Sequence, residues 1–265
     1  LPIFIAVSIM SKKIAAGSDC ILLDVKTGSG AFMKTLDDSI ELSKKMVAIG
    51  ENAGKRTIAL ITDMDIPLGY AIGNSLEVIE AVNTLKGNGP KDLTEVCINL
   101  AANMIYLAGK GDLDTCKQMV QEVINNGKAL ERLIAMVEAQ GGDSSVIKDT
   151  ENFEKAKYQY EVKADTEGYI IHMDTEKCGI ASSMLGAARE TTDSVIDFTA
   201  GIVLKNKVGD YVKVGDTLAT MYTSKESLIP SAVKEYLSAI TFGKEKPEEE
   251  KLIYARVEKD KVEKY

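Results

Sequence analysis

Ser8 and Lys12 are two residues whose types and spacing could serve a chemical task. They lie four positions apart, so on a helix a hydroxyl and an ammonium would project from one face about one turn apart. Such a pair suits a planar ligand with carbonyl oxygens and a ring N–H. A fixed ammonium would also stabilise the negative charge that gathers on a heterocyclic ring as the ring leaves a sugar. Spacing alone favours the simpler interpretation of an exposed serine and lysine on a surface helix.

Gly28-Ser29-Gly30 is a second candidate, because backbone amides in a glycine-rich loop after a strand can bind an anion. Two common nucleotide-binding loops do not match. A Walker loop has glycine directly before its lysine, whereas Met33 precedes Lys34, and the dinucleotide fingerprint has a glycine where Met33 stands. Without further context, a tight strand-to-helix turn explains these glycines best.

The elements that would carry these residues follow from hydrophobic periodicity. A short helix over about Ile9 to Ala16 ends at Gly17, and the apolar segment Cys20 to Val25 is typical of a buried strand. Thr35 is placed to cap the next helix, and Thr57 to Thr62 is the following strand. A strand, a helix and a strand at such intervals predict a right-handed parallel crossover, with functional residues at the carboxyl ends of the strands.

The remaining sequence divides into a helical block and a region of short strands. From Asn74 to about Gly141 the pattern is helical, and this block is expected to pack on the sheet. After Lys157, short alternating stretches predict a smaller α+β domain. The predicted fold is therefore α/β, with a parallel or mixed sheet and flanking helices over residues 1–157, followed by the α+β domain over residues 158–265. Two helices and a charged loop before a last strand are expected there, at about 177–185, 227–240 and 244–251.

Composition disfavours several classes of partner. The chain has 265 residues, a net charge of −8 and only five prolines, which predicts a soluble folded protein that nucleic acids and anionic membranes would repel. The sequence has no run of about 18 consecutive apolar residues, which is the length that spans a bilayer. The cysteines lack zinc or redox spacing, which predicts buried reduced thiols in a cytoplasmic protein; they are Cys20, Cys97, Cys116 and Cys178. The apolar start, Leu1 to Met10, lacks signal-peptide features and suggests that an amino-terminal portion is missing.

A series of strings, in one order along the chain, is similar to segments of the pyrimidine-nucleoside and thymidine phosphorylases. The strings in the first half are Ser8-Ile9-Met10-Ser11-Lys12-Lys13, Asp24 to Met33, Thr62-Asp63-Met64, Pro67 to Asn74 and Leu85 to Pro90. Those in the second half are Asp165 to Tyr169, Met173-Asp174-Thr175 and Gly201 to Asp210. Several motifs in order over almost the whole chain make the resemblance specific.

The resemblance implies a pentosyltransferase of nucleoside salvage. Such an enzyme converts uridine, thymidine or deoxyuridine and phosphate into a free pyrimidine base and a (deoxy)ribose 1-phosphate. The resemblance also implies a cytoplasmic homodimer without an organic cofactor. The family's serine and lysine hold the edge of the pyrimidine, which carries over to Ser8 and Lys12. Ile9 and Phe32 would then be apolar walls of the base pocket.

A monovalent cation, potassium, is implied as well. Family members hold it through two backbone carbonyls and one carboxylate, which match Leu68, Ala71 and Glu80 here. Oxygen ligands of this kind suit a hard cation. The plain alternative for Glu80 is an exposed carboxylate on a helix.

Some parts and residues of the family pattern are absent from this sequence. The family's phosphate-binding segment and its helical dimer-forming domain would precede Leu1, so this chain alone is expected to be inactive. Val7 stands where the family has a small serine, which puts the register before Ser8 in question. Ala188 stands where a glycine is usual, which puts the local backbone in question.

Other readings stay open beside the enzyme. Gly209 to Leu218 resembles the turns of biotinyl and lipoyl carrier domains, with Lys205 and Lys207 as the nearby attachment candidates. A non-catalytic binding fragment is the other alternative. His172 lies outside the matched motifs and is expected to be an exposed strand residue rather than a catalyst. Asp24 is either structural or orients Lys26.

Overall fold

The computed structural model describes residues 2–189, 191–192 and 194–265. The helices in this part of the chain are α1 (Pro2–Ala15), α2 (Leu36–Asn52), α3 (Asn74–Leu85), α4 (Lys91–Leu107), α5 (Leu113–Asn125), α6 (Lys128–Ala139), α7 (Ser145–Lys148), α8 (Thr175–Ser182) and α9 (Ile229–Ser238). The strands are β1 (Cys20–Thr27), β2 (Arg56–Asp63), β3 (Ala71–Gly73), β4 (Tyr158–Lys163), β5 (Gly168–Met173), β6 (Gly201–Leu204), β7 (Tyr211–Val212), β8 (Thr217–Thr223), β9 (Ile240–Gly243), β10 (Ile253–Glu258) and β11 (Lys261–Lys264). These elements form two compact units.

The first unit comprises residues 2–64, 92–123 and 251–265. Its sheet has four strands in the order β1-β2-β10-β11. β1 and β2 are parallel, with Cys20 opposite Arg56 and Thr27 opposite Asp63. β10 runs antiparallel to β2, and β11 runs antiparallel to β10. The sheet is therefore mixed, and its parallel pair joined through α2 confirms that the predicted crossover is parallel.

An apolar core lies between this sheet and the first two helices. Its buried side chains come from α1, α2 and one face of the strands, and include Ala6, Met10, Met46, Val47, Val25 and Ile61. Burying each of the larger side chains contributes about 1.5–3 kcal/mol. The predicted cap of α2 is confirmed, since the Thr35 hydroxyl accepts a hydrogen bond from the Asp38 backbone N–H at 3.2 Å. The core therefore fixes α1, and with it the first motif, on the sheet.

The helix α4 covers the other face of the same sheet. The Arg256 Nε donates to the Asn103 side-chain oxygen at 2.8 Å, and the Tyr106 ring lies under the Arg56 and Arg256 guanidinium groups at 4.8 and 5.1 Å. These two arginines alternate with the buried residues of the core described above, so they project from the opposite face. The expected packing of the helical block on the sheet is thus confirmed for α4.

The second unit comprises the described residues among 65–91 and 124–250. It has a four-stranded sheet in the order β3-β6-β8-β4 and a three-stranded sheet in the order β7-β5-β9, with every pair antiparallel. The core is formed by both sheets with α8 and α9, and its largest fully buried side chains include Tyr236, Ile170, Met173, Leu185, Ile202 and Leu218. This confirms the predicted α+β character.

Four sequence-based expectations differ in detail from the structure. The helix expected over about Ile9 to Ala16 is longer, since α1 begins at Pro2. The helix expected over 177–185 is α8 followed by a π-helical turn, Ser183–Ala187, in which Gly186 has φ +107°. Two strands, β10 and β11, follow the charged loop instead of one, and both join the sheet of the first unit. Residues 251–265 therefore lie with the first unit, while the domain division at 157/158 stays a prediction. None of the described helices has the length and apolar character that crossing a bilayer requires.

Candidate functional site

Ser8 and Lys12 lie on the solvent-exposed side of α1. The buried side of the helix carries Ala6 and Met10, which pack in the core of the first unit. Ser8 and Lys12 are exposed, and among the described residues neither side chain has a hydrogen bond or ion pair. The helix confirms that the two side chains lie one turn apart on one face. Their hydroxyl and ammonium are therefore free to meet a ligand, and their role in base binding stays a prediction.

The glycine-rich loop after β1 is a tight turn in which three backbone amides donate to backbone carbonyls. The Gly28 N–H donates to the Met33 carbonyl at 3.1 Å, and the Ala31 N–H donates to the Gly28 carbonyl at 3.1 Å. The Gly30 N–H donates to the Met64 carbonyl at 3.0 Å. These three amides already donate to backbone carbonyls, which agrees with the turn interpretation.

Ile9 and Phe32, the predicted walls of the base pocket, differ in their burial. Ile9 is half-buried and packs against it, next to the buried Met10. Phe32 precedes the buried Met33 but is itself 90% exposed. The structure thus anchors both motifs in one core, and it leaves the Phe32 ring open to solvent. Their role as walls stays a prediction.

Asp24 forms an ion pair with Lys26 at the carboxyl end of β1. The Lys26 Nζ lies 2.8 Å from the Asp24 Oδ2 and donates to the Thr62 hydroxyl at 2.9 Å. The Thr62 hydroxyl in turn donates to the Asp24 Oδ1 at 2.5 Å. Of the two alternatives for Asp24, the structure favours the one in which this carboxylate orients Lys26.

The charges of this network affect the pKa of Cys97 in α4. The residue as a whole is exposed, but burial of its thiol raises the thiol pKa. The Lys26 ammonium lowers the pKa of Cys97, and the Asp24 carboxylate raises it. Removal of either charge is therefore expected to change the pKa of the Cys97 thiol.

Glu80 of α3 joins the loop that precedes β3. Its Oε1 accepts hydrogen bonds from the backbone N–H groups of Tyr70 and Ala71, at 2.9 and 3.2 Å. Gly69 has φ +70°, and a Cβ at this position would lie 2.2 Å from the Glu80 Oε2. Only a glycine therefore lets the loop wrap this closely around the carboxylate.

Two of the three predicted cation ligands are in direct contact, because the Ala71 N–H donates to the Glu80 carboxylate, and Leu68 directly precedes Gly69 of the same loop. Leu68 and Ala71 flank the segment that Glu80 touches, and all three can supply oxygen atoms. Two carbonyls and a carboxylate form a donor set that suits a monovalent cation. These residues thus fit a monovalent cation. Among the described residues, no cluster of three or more His, Cys, Asp or Glu side chains could hold a metal ion.

Lys207 contacts this loop, which sequence reasoning did not predict. Its Nζ donates to the Gly69 carbonyl at 2.9 Å and lies 5.3 Å from the centre of the Tyr70 ring. The neighbouring Leu204 N–H donates to the Tyr70 carbonyl at 2.8 Å. A lysine held in this way does not match the exposed hairpin lysine of a carrier domain. Lys205 is exposed, but its N–H donates to the Leu218 carbonyl at 2.8 Å, so it continues the pairing of β6 with β8 and does not lie at a hairpin turn. The carrier alternative is therefore not supported.

The remaining sequence candidates have plain structural explanations. His172 is exposed on β5, as predicted. All four cysteines are free. Cys116 and Cys178 are buried as expected and Cys20 is half-buried, whereas the expectation of burial is wrong for Cys97, which is exposed. Ala188 has an extended backbone, with φ −133°, so a side chain is accommodated where the family has glycine.

Comparison with known proteins adds an independent finding. Residues 4–130 match the family described as glycosyl transferase family, a/b domain, and residues 169–243 match the pyrimidine nucleoside phosphorylase C-terminal domain. A protein named pyrimidine-nucleoside phosphorylase from Staphylococcus epidermidis (strain ATCC 12228 / FDA PCI 1200) is 52% identical over 225 residues, which cover 84% of this chain and 52% of the relative.

Two further relatives carry the same name. The protein from Bacillus subtilis (strain 168) is 49% identical over 233 residues, covering 88% of this chain and 54% of the relative. The protein from Staphylococcus aureus (strain USA300) is 50% identical over 240 residues, covering 90% of this chain and 55% of the relative. The chain thus spans about half the length of the curated relatives it matches. The similarity extends over residues of both compact units.

Proposed function

This chain belongs to the pyrimidine-nucleoside phosphorylase family, and from that premise we propose that the protein transfers the sugar of a pyrimidine nucleoside to phosphate. The observation that supports this most is identity of about one residue in two over 84–90% of the chain. The substrates would be uridine, thymidine or deoxyuridine. The products would be the free base and the corresponding sugar 1-phosphate.

In the proposed reaction, phosphate attacks the anomeric carbon from the side opposite the base. The bond from carbon to the ring nitrogen breaks as the bond to the phosphate oxygen forms, through an oxocarbenium-like state. The departing ring keeps the electron pair of the broken bond, and its carbonyl oxygens gather negative charge. The Lys12 ammonium, exposed beside the Ser8 hydroxyl on α1, would stabilise that charge. No covalent intermediate on the protein is required.

Potassium is the cation proposed for the loop before β3. The carbonyls of Leu68 and Ala71 and the carboxylate of Glu80 would hold it, because Leu68 and Ala71 flank the loop segment that the Glu80 carboxylate of α3 contacts. The bound cation would supply positive charge that ties the loop to α3. We also propose a homodimer in the cytoplasm, with nucleoside and phosphate as the small-molecule partners and without an organic cofactor.

The experiment compares this chain with a version joined to the other half of the B. subtilis relative. Each is incubated with uridine, with and without inorganic phosphate, and free uracil is quantified by chromatography. We expect phosphate-dependent uracil release from the joined protein and none from the chain alone. Uracil release by the chain alone would contradict its expected inactivity. A folded joined protein without activity would contradict the proposed function.

A further inference from the structure

A closed network of three polar side chains lies at the carboxyl ends of the two parallel strands. It is formed by Asp24 and Lys26 of β1 and Thr62 of β2, and each pair of its members is in direct contact, at 2.5–2.9 Å. Thr62 is fully buried, while the Lys26 and Asp24 side chains are 24% and 29% exposed. We call these three residues the strand-end network.

The strand-end network stands directly before two loops that are bonded to each other. Lys26 and Thr62 face each other across the parallel ladder. Just beyond them, the Met64 N–H donates to the Thr27 carbonyl at 2.7 Å, and the Gly30 N–H donates to the Met64 carbonyl at 3.0 Å. Open α/β sheets bind ligands at this end of their strands. The network thus holds together the stems of the loops at the end of the sheet where a ligand is expected.

The polar composition of the network is not explained by stability alone. Apolar side chains at partly buried positions of a strand would pack at least as well, because pairing two charges repays only part of their desolvation. The ion pair instead fixes the orientation of the Lys26 side chain. Asp24 contacts both the Lys26 ammonium and the Thr62 hydroxyl, so rotation of either side chain breaks a hydrogen bond.

We propose that Lys26 is a positioning residue, which acts with Asp24 and Thr62 to fix the loop 28–33 and thereby the place of the exposed Phe32 ring. Because Phe32 is the proposed wall of the base pocket, this inference rests on the proposed function. Loss of the network would let the loop move while the sheet below it stays folded. Nucleoside binding would weaken more than the chemical step.

The first test needs only this chain. Amide hydrogen exchange is measured for Lys26→Met, which keeps the aliphatic stem and removes the charge. Exchange of the Gly30 and Met64 amides is expected to rise about tenfold, as the loss of a charge-assisted contact predicts. The Lys55 amide, bonded to the Gly50 carbonyl elsewhere in the first unit, is expected to be unchanged. Unchanged exchange at Gly30 and Met64, or an equal rise at Lys55, would overturn the proposal.

Two further variants distinguish positioning of the loop from an effect of charge alone. One is a matched control that removes a lysine elsewhere, and the other removes the negative charge of the network. Lys44→Met removes a surface lysine that pairs with Glu41 at 3.0 Å, and it is expected to change none of these amides. Asp24→Asn is expected to raise loop exchange as Lys26→Met does. The two variants must nevertheless change the reactivity of Cys97 toward an aromatic disulfide reagent in opposite directions, slower for Lys26→Met and faster for Asp24→Asn. If loop exchange also changed in opposite directions in the two variants, as the thiol reactivity does, the positioning role would be contradicted.

The kinetic test uses the joined protein described above. Lys26→Met is expected to raise KM for uridine about tenfold with kcat changed less than about threefold, since one positioning contact is lost. Thr62→Ser, which keeps the hydroxyl, is expected to retain the wild-type KM, whereas Thr62→Val is expected to raise it. A fall in kcat at constant KM would overturn the proposal. A wild-type joined protein without activity would contradict the proposed function, and the exchange test would still decide the role of Lys26.

Discussion

Gly69→Ala is predicted to displace the Glu80 carboxylate from the loop that precedes β3. A Cβ at position 69 would lie 2.2 Å from the Glu80 Oε2, which is far inside van der Waals contact. Since Glu80 is the flexible partner, its carboxylate must move. The hydrogen bonds that its Oε1 accepts from Tyr70 and Ala71 would then be lost or lengthened.

The magnitude has two parts that a control can separate. A side chain at φ +70° costs about 1–2 kcal/mol, partly offset by about 0.4–1 kcal/mol from the stiffer unfolded chain. Losing two hydrogen bonds to a charged group costs about 1.5–3 kcal/mol each, and we expect half or less of this because Glu80 is only half-buried and water replaces part of it. The sum predicts a loss of about 2–4 kcal/mol for Gly69→Ala.

Gly87→Ala is the matched control, because Gly87 has φ +82° and no atom within 4 Å of its would-be Cβ. It is expected to cost only the backbone part, about 1 kcal/mol. Free energies of unfolding come from urea titration followed by circular dichroism. In a double-mutant cycle, Glu80→Ala is expected to remove the excess cost of Gly69→Ala, giving a coupling of about 1–3 kcal/mol. Equal losses for Gly69→Ala and Gly87→Ala, with no coupling, would refute the displacement of Glu80.

Three further predictions concern stability. Burial raises the pKa of the Cys178 thiol from 9.0 to about 12. The stability due to the neutral thiol is therefore complete below pH 9 and falls by about 1.4 kcal/mol per pH unit between these two values. Cys178→Ala is expected to make the urea midpoint of unfolding less dependent on pH between about pH 8.5 and 10. Thr35→Ala is expected to cost about 1 kcal/mol by loss of the α2 cap, and Thr35→Ser to restore most of it; a loss equal in both would contradict the capping role. Asn103→Ala leaves the buried Arg256 Nε–H without its oxygen partner and is expected to lower stability by about 1.5–3 kcal/mol in thermal unfolding, whereas a wild-type midpoint would contradict that contact.

Local patterns predicted most of the elements correctly. The helical spacing between Asn74 and Gly141 corresponds to α3, α4, α5 and α6, and Thr35 caps α2 as expected. These features depend on neighbours within a few positions, where side-chain periodicity and capping act directly. The pairing of the last two strands, β10 and β11, could not be predicted in this way. β10 pairs with β2 across almost two hundred positions, and nothing local to either strand specifies that choice.

The candidate site shows the same division. Spacing correctly predicted that Ser8 and Lys12 share a face of α1, but their role came only from the resemblance. Lys207 reaches the Gly69 carbonyl from 138 positions away, so no motif near either residue could have indicated the contact. Thr62 likewise became part of the strand-end network only because β1 and β2 pair in this register. Contacts of this kind depend on tertiary pairing.

Replacing Lys12 in the joined protein gives the most direct test of base stabilisation by α1. Lys12→Met is compared with Lys13→Met, which removes the neighbouring exposed lysine from a different side of the helix. Phosphorolysis of uridine is expected to lose about 10²–10³-fold in kcat/KM for Lys12→Met, the range for removing one group that stabilises developing charge. Lys13→Met is expected to stay within about twofold of wild type, because a surface charge away from the reacting atoms changes little. Equal activity of the two variants would contradict the role of Lys12.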